Sequence, residues 1–374
     1  MPRALIIEPA GNLWGPQRAL LELIEHLGDI EIAVCCPPAR PLMSELEKRK
    51  IRVLPYFRAL DNKRGWEHLL AAAGVLRAAV GFRPDVLYLN QAGCYRVVLL
   101  AAFLLGLPIV GHVRKLEDAT YLARARPSPY RLRGLIAASP AMLEKLRSFP
   151  QLDHITMHCH YDCYVRAFEP RAQNVPQRTP NRIACIGRLM PKTGQDVPVE
   201  VVGLLKRNGE DVECWMMGDS ERDLVDRLLR RAADVGAASR IAWLGTRDAA
   251  WLGTRDDIVA ILRTCTALVC PPHHGAPRRV MFEAWDAGAV PIVCAESGDA
   301  EIVTAADAGI LYDEGTPQAL AAAIRETLHL DRDEIACLVA NGRAWLAGNC
   351  DAKRYGAAIA RVLRETCSEA AKKS

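Results

Sequence analysis

Two short stretches of this chain combine the residue types that hold a phosphorylated sugar. The first is Gly187-Arg188-Leu-Met-Pro-Lys192-Thr193-Gly194. An arginine and a lysine in one glycine-bounded loop can pin a diphosphate, Arg188 by its planar fork and Lys192 as a point charge. A solvated basic loop is the plain alternative. The second runs from Gly275 through Ala276-Pro277-Arg278-Arg279-Val280 to Glu283-Ala284, Gly288 and Pro291-Ile292-Val293. It reads as loop, helix and strand, with Pro277 in the helix's first turn and Gly288 closing its far end. The N–H groups around Ala276 to Val280 and the positive dipole end suit phosphate. Glu283 lies among apolar residues, so it needs a partner: a sugar hydroxyl, or Arg279 one turn back.

These stretches sit at the ends of short apolar runs that alternate with helical patterns. In the first half, strands are expected at 4–8, 30–36, 51–56, 85–90, 109–112 and 134–138. A second series is expected at 182–186, 212–217, 240–244, 267–270 and 290–295. Interleaved strands and helices predict parallel, doubly wound sheets. The polar, proline-rich 171–180 reads as a linker between an N-terminal domain, 1–170, and a C-terminal domain, 181–350. A last helix falls in 351–374, with its core at about 352–366. Trp243-Leu-Gly-Thr-Arg-Asp recurs at once from Trp251, and reads as a loop insertion by local duplication.

Together these motifs resemble the retaining glycosyltransferases of family 4. Gly187, Arg188 and Gly194 match the Gly-Arg, four residues, Lys-Gly pattern; its Lys position holds Thr193, with Lys192 one residue early. Glu283-Ala284, Gly288 and Pro291 match the second half of the family's two-glutamate segment. Its first glutamate, which touches the transferred sugar, falls on Gly275. The resemblance implies the GT-B fold, two Rossmann-like doubly wound α/β domains facing across a cleft. It places Gly15 near the donor diphosphate, Gly218 and Gly245 near the nucleotide base, His112 on the transferred sugar, and Glu283 on the ribose. Arg188 and Lys192 would neutralise the leaving diphosphate. The last helix would pack back toward the N-terminal domain.

The implied activity is retaining transfer of a hexose from a nucleoside diphosphate sugar to a glycan, lipid-linked or small-molecule acceptor, with no metal or other cofactor. The departures at Gly275 and Thr193 leave two rivals: a non-catalytic nucleotide-sugar-binding or scaffold relative, and a nucleotide-sugar epimerase on the same fold.

Composition bounds the rest. Half of the 374 residues are hydrophobic and a quarter charged, which fits two packed domains. The net charge of +4 gives no case for nucleic acid. No apolar run reaches the length of a membrane span, and no secretory leader is apparent, so a cytoplasmic protein is expected. The basic stretch 114–147 offers a peripheral contact with the inner face of an anionic membrane. Most of the 13 cysteines lie in apolar runs and read as small buried hydrophobes. His158-Cys159-His160-Tyr161-Asp162-Cys163 has metal-ligand residue types but no second ligand pair elsewhere, so no metal site is expected.

Overall fold

A computed structural model describes the chain except residues 39–40, 57–64, 125–130, 167–177, 188, 190–193, 195, 219, 221, 246–254, 273–274, 276, 314 and 374. The chain divides into two compact units, Met1–Val165 with Asn349–Ser374, and Arg166–Gly348. The linker predicted at 171–180 lies outside the described residues up to 177. Most of the repeat at 243–256 does so as well.

The first unit is built on seven strands: β1 (Arg3–Ile7), β2 (Glu31–Cys36), β3 (Arg52–Pro55), β4 (Val86–Leu89), β5 (Ile109–Val113), β6 (Leu132–Ala137) and β7 (Thr156–Cys159). Their order is β3-β2-β1-β4-β5-β6-β7, and every pairing is parallel. Alternation within β1 explains its unbroken apolar run. Leu5 and Ile7 face one core and Ala4 and Ile6 the other, so both faces are covered. The helices are α1 (Gly15–Ile24), α2 (Leu42–Lys48), α3 (Gly65–Phe82), α4 (Tyr95–Leu104), α5 (Leu116–Ala123) and α6 (Pro140–Arg147).

The second unit has six strands: β8 (Arg182–Ile186), β9 (Glu213–Met217), β10 (Ile241–Trp243), β11 (Ala267–Cys270), β12 (Val290–Cys294) and β13 (Ile310–Tyr312). Their order is β10-β9-β8-β11-β12-β13, again all parallel. In each sheet the order reverses beside the first strand, between β1 and β4 and between β8 and β11. Such switch points are where doubly wound sheets hold ligands, at the strands' carboxyl ends. Its helices are α7 (Val197–Arg207), α8 (Arg222–Asp234), α9 (Arg255–Arg263), α10 (Arg279–Ala287), α11 (Ala300–Ala306), α12 (Pro317–His329) and α13 (Arg332–Asn349).

The last helix, α14 (Ala352–Lys373), belongs to the first unit. Tyr355, Ile359, Val362 and Leu363 fill the core shared with α1 and the sheet. At Gly356 a Cβ would sit 2.4 Å from the His26 carbonyl oxygen, so only glycine lets the helix come this close.

Three details differ from the sequence expectation. Pro277 lies before the helix, because Arg278 with extended backbone is the cap residue and Arg279 the first helical one. The edge strands β7 and β13 carry no long apolar run, being short and only partly buried. Helix α14 continues to Lys373, past the expected end near residue 366.

Candidate functional site

In the second unit the site residues gather where β8, β11 and β12 end. Helix α10 follows β11. Its residues from Met281 to Ala287 are buried, which holds it firmly against the sheet. Trp285 anchors it: the ring is fully buried and its Nε1 donates to the Ala308 carbonyl at 2.7 Å. Gly288 ends the helix in the left-handed region, at φ 87°, as the sequence predicted. The side chain of its cap residue, Arg278, makes no capping hydrogen bond to the first turn.

Arg278, at the cap position, turns inward rather than toward a ligand. Its backbone N–H donates to Asp299 Oδ1 at 2.7 Å and its Nε to Oδ2 at 2.6 Å. Its Nη2 donates to the Pro271 carbonyl at 2.9 Å. Asp299 is fully buried, so this pair fastens the loop after β11 to the loop after β12. The same two loops meet at two glycines. A Cβ on Gly298 would lie 1.7 Å from the Gly275 carbonyl oxygen, so residue 298 must be glycine. The expectation that Arg278 offers its amide to phosphate is therefore corrected: Asp299 already takes that N–H.

Glu283 is 3 % exposed at its side chain, and Arg279 Nε stands 3.8 Å from its Oε1. The ion pair anticipated from the sequence is present, but it is a buried one. The separation is too long for a hydrogen bond from that nitrogen. Val280 and Pro277 are half-buried beside it. Ala276, Arg188 and Lys192 lie outside the described residues. Gly194, at the far end of the Arg188 loop, has φ 69° and packs against Pro271, where a Cβ would be 3.2 Å from that ring. Gly218 follows β9, and Gly245, with φ 65°, follows β10.

The first unit holds a second constellation, which the sequence indicated only at His112 and Gly15. Glu8, just past β1, accepts from the Ala10 N–H at 2.7 Å, Gln17 Nε2 at 2.7 Å, Gln91 Nε2 at 3.0 Å and Asn90 Nδ2 at 2.6 Å. Asn90, just past β4, turns its Oδ1 to Arg114 Nη1 at 3.2 Å. Arg114, just past β5, closes a two-pronged pair with Asp162, Nε to Oδ2 and Nη2 to Oδ1, both at 2.7 Å. Gln17 also accepts the Trp14 N–H at 3.2 Å, and so fixes the turn into α1 at Gly15.

His112 closes the network. Its side chain is fully buried, with Nδ1 2.9 Å from Tyr88 Oη and 3.4 Å from Tyr355 Oη of α14. Its Nε2 stands 3.7 Å from Asp162 Oδ1. Burial, reinforced by the Arg114 charge and opposed by Asp162, holds its pKa well below the usual histidine range. The ring is neutral at pH 7, and its proton is favoured on Nε2, facing the carboxylate. Burial also pushes Glu8 up, while Asn90, Gln17 and the Ala10 N–H pull it back.

Arg114 is thus buried and fully engaged, and is corrected out of the basic surface expected over 114–147. Arg131 is half-buried and donates to the Gly106 carbonyl at 2.6 Å. Lys115, Arg124, Arg133, Lys145 and Arg147 remain exposed. Among the described residues no cluster of three His, Cys, Asp or Glu side chains could hold a metal ion.

Comparison with known proteins fits this geometry. Residues 180–329 match the model of the family described as glycosyl transferases group 1. The chain is similar to the GDP-mannose-dependent alpha-(1-6)-phosphatidylinositol monomannoside mannosyltransferase of Mycobacterium tuberculosis, 28% identical over 187 residues, 49% of this chain and 47% of that protein. The chain thus spans about half the length of the curated relatives it matches. The crystal structure of Anabaena HepE in complex with UDP and glucose superposes with a TM-score of 0.77 at 19% identity, covering 98% of this chain and 100% of that one. Sucrose-phosphate synthase from Thermosynechococcus elongatus does so with a TM-score of 0.77 at 15% identity, covering 99% and 100%. The fold is GT-B, with two Rossmann-like parallel-sheet domains.

Proposed function

We propose that this chain is a retaining glycosyltransferase that moves a sugar from a nucleoside diphosphate sugar to a glycan or lipid-linked acceptor. The observation that carries the reading is the buried Glu283 one turn into α10, a helix that starts beside the switch point of a parallel sheet. The N–H groups of the first turn beyond Arg278 favour phosphate, and Glu283 accepts the ribose hydroxyls of the same nucleotide. Arg188 and Lys192 neutralise the leaving diphosphate, where charge develops as the sugar departs. With two cations in that loop, the reading needs no metal. Arg278 serves this site from behind, by holding the loops after β11 and β12 together.

In the first unit, the network from Glu8 to Asp162 fixes the loops that follow β1, β4 and β5. His112 enters the proposal as a fully buried residue whose Nδ1 meets Tyr88 and Tyr355 of α14. The relative from M. tuberculosis is named for GDP-mannose and a phosphatidylinositol mannoside, and the Anabaena neighbour is bound to UDP and glucose. GDP-mannose and UDP-glucose are therefore the first donors to test. Release of nucleoside diphosphate in the presence of a glycan and lipid-linked acceptor pool, with the product's anomeric configuration read by NMR, tests the reading. Conversion of donor without acceptor would point to epimerisation. Binding with no turnover on any donor would point to the scaffold relative.

A further inference from the structure

We infer that Arg343 is a positioning residue for the nucleotide site, acting through the far end of α10. The inference rests on the reading of Glu283 as the ribose contact. A nine-residue helix has little stability of its own, so the ties at its two ends set where Glu283 stands. The front end is tied by Arg278 to Asp299. At the back, Arg343 Nε donates to the Trp285 carbonyl at 2.9 Å and its Nη2 to the Asp286 carbonyl at 2.8 Å. One planar fork thus grips two carbonyls of the last turn, which a helix cannot satisfy by itself. Glu283 lies less than one turn before them, so a shift of this end carries its carboxylate along. A displacement of about 1 Å is enough to take a hydrogen bond out of range.

Helix α13 is shaped to deliver that fork. Of its eighteen residues only Val339, Gly342 and Leu346 are buried. At Gly342 a Cβ would meet the Trp285 ring at 2.4 Å, so only glycine lets the two helices touch. Trp345 lies beside Phe282 and Trp285, with ring centroids 6.4 and 6.3 Å away. Gly342, Arg343 and Trp345 thus all serve α10. A second arginine reaches the same end, where Arg178 donates to the Gly288 carbonyl. A Cβ on Gly288 would lie 2.9 Å from Arg178 Nη2 and 3.9 Å from Arg343 Nη2, so two guanidiniums crowd one helix end. Burial and the Arg343 charge push the Arg178 guanidinium down from its usual range. One cation is enough to answer a helix dipole. Two held together against their repulsion fix the end in place as well.

The test is calorimetric titration of GDP and UDP, and of their analogues lacking both ribose hydroxyls, into the full chain and into Arg343→Met. The wild type should prefer the intact nucleotide by about tenfold or more. Arg343→Met should lose most of that preference, while binding the analogue within about twofold of the wild type. An arginine that served stability alone would lower Tm on removal and leave the preference as it was. Arg343→Lys keeps the charge and loses the fork, so its preference should fall between the two. It also reads the same ratio should the methionine variant not fold. A wild type with no preference overturns the Glu283 reading and this inference with it. A wild-type preference kept in full by Arg343→Met, or by Arg343→Lys where that variant alone folds, overturns this inference and leaves the Glu283 reading standing.

Discussion

The Arg114–Asp162 pair gives the sharpest test of the buried network. Arg114 is almost wholly inside the first unit, whereas Asp162 keeps 23 % of its side chain exposed. Removing one partner of a buried pair leaves the other charge uncompensated, at about 3–5 kcal/mol. The two single variants should therefore be unequal. Asp162→Leu strands a buried guanidinium and should cost the full ~3–5 kcal/mol. Arg114→Met leaves a carboxylate that reaches water, and should cost less, about 2–3 kcal/mol. The double variant removes both charges, so its loss should fall short of the sum by at least about 2 kcal/mol. Urea denaturation followed by tryptophan fluorescence and circular dichroism reads all three. At roughly 2–4 °C per kcal/mol, Asp162→Leu should also lower Tm by about 10 °C. Losses that add to within ~0.5 kcal/mol would refute the reasoning, because the two side chains would then be acting independently.

Asp118 sits under the turn at Gly93, and burial pushes its pKa up to about 6, with Lys115 and the Gly93 N–H opposing. The folded state then holds a proton that the unfolded chain releases at the ordinary aspartate value of 3.8, so stability should fall as pH rises between those values. Asp118→Asn should flatten that slope and add about 1–2 kcal/mol at pH 7, after allowance for partial solvent access, as measured by denaturation from pH 4 to 8. Gly298→Ala should cost about 3 kcal/mol and weaken nucleotide binding, since a rigid backbone carbonyl occupies the space its Cβ needs; wild-type stability would show that the two loops separate freely. Arg188→Ala should weaken nucleoside diphosphate binding more than Lys192→Ala, by roughly 1.5–3 kcal/mol for the lost charged hydrogen bond, because Arg188 alone is in the family's register. Equal or reversed losses in a titration would sink that ordering.

The fold was legible because apolar strands and amphipathic helices alternate so regularly. Val290–Cys294 is buried on both faces and reads as an unbroken apolar run. The edge strand Thr156-Met-His-Cys159 has no such run, because an edge gives its residues little to bury. In the second unit the buried position of Glu283 and the helix end at Gly288 were legible, since a carboxylate among apolar residues and a helix-ending glycine are local signals. The network in the first unit was hidden. Glu8, Asn90 and Arg114 each stand one residue past an apolar strand, a weak signal that any strand end shows. Only the parallel order β1-β4-β5 brings these three ends together. Asp162 enters from an irregular segment after β7, where no pattern marks it. Arg278 misled for the same reason: nothing local shows that its partner is Asp299, 21 residues on.

The central claim is that the second unit binds a nucleoside diphosphate through Glu283. Calorimetric titration of GDP and UDP into the wild type and Glu283→Gln tests it most directly. The variant keeps the shape, loses the charge and turns one acceptor into a donor. Affinity for the bound nucleotide should fall about tenfold or more, equivalent to roughly 1.4 kcal/mol. A nucleotide lacking both ribose hydroxyls should bind the wild type weakly and the variant no worse. If neither nucleotide binds the wild type, or if the losses from variant and analogue simply add, Glu283 does not hold a ribose and the account is contradicted.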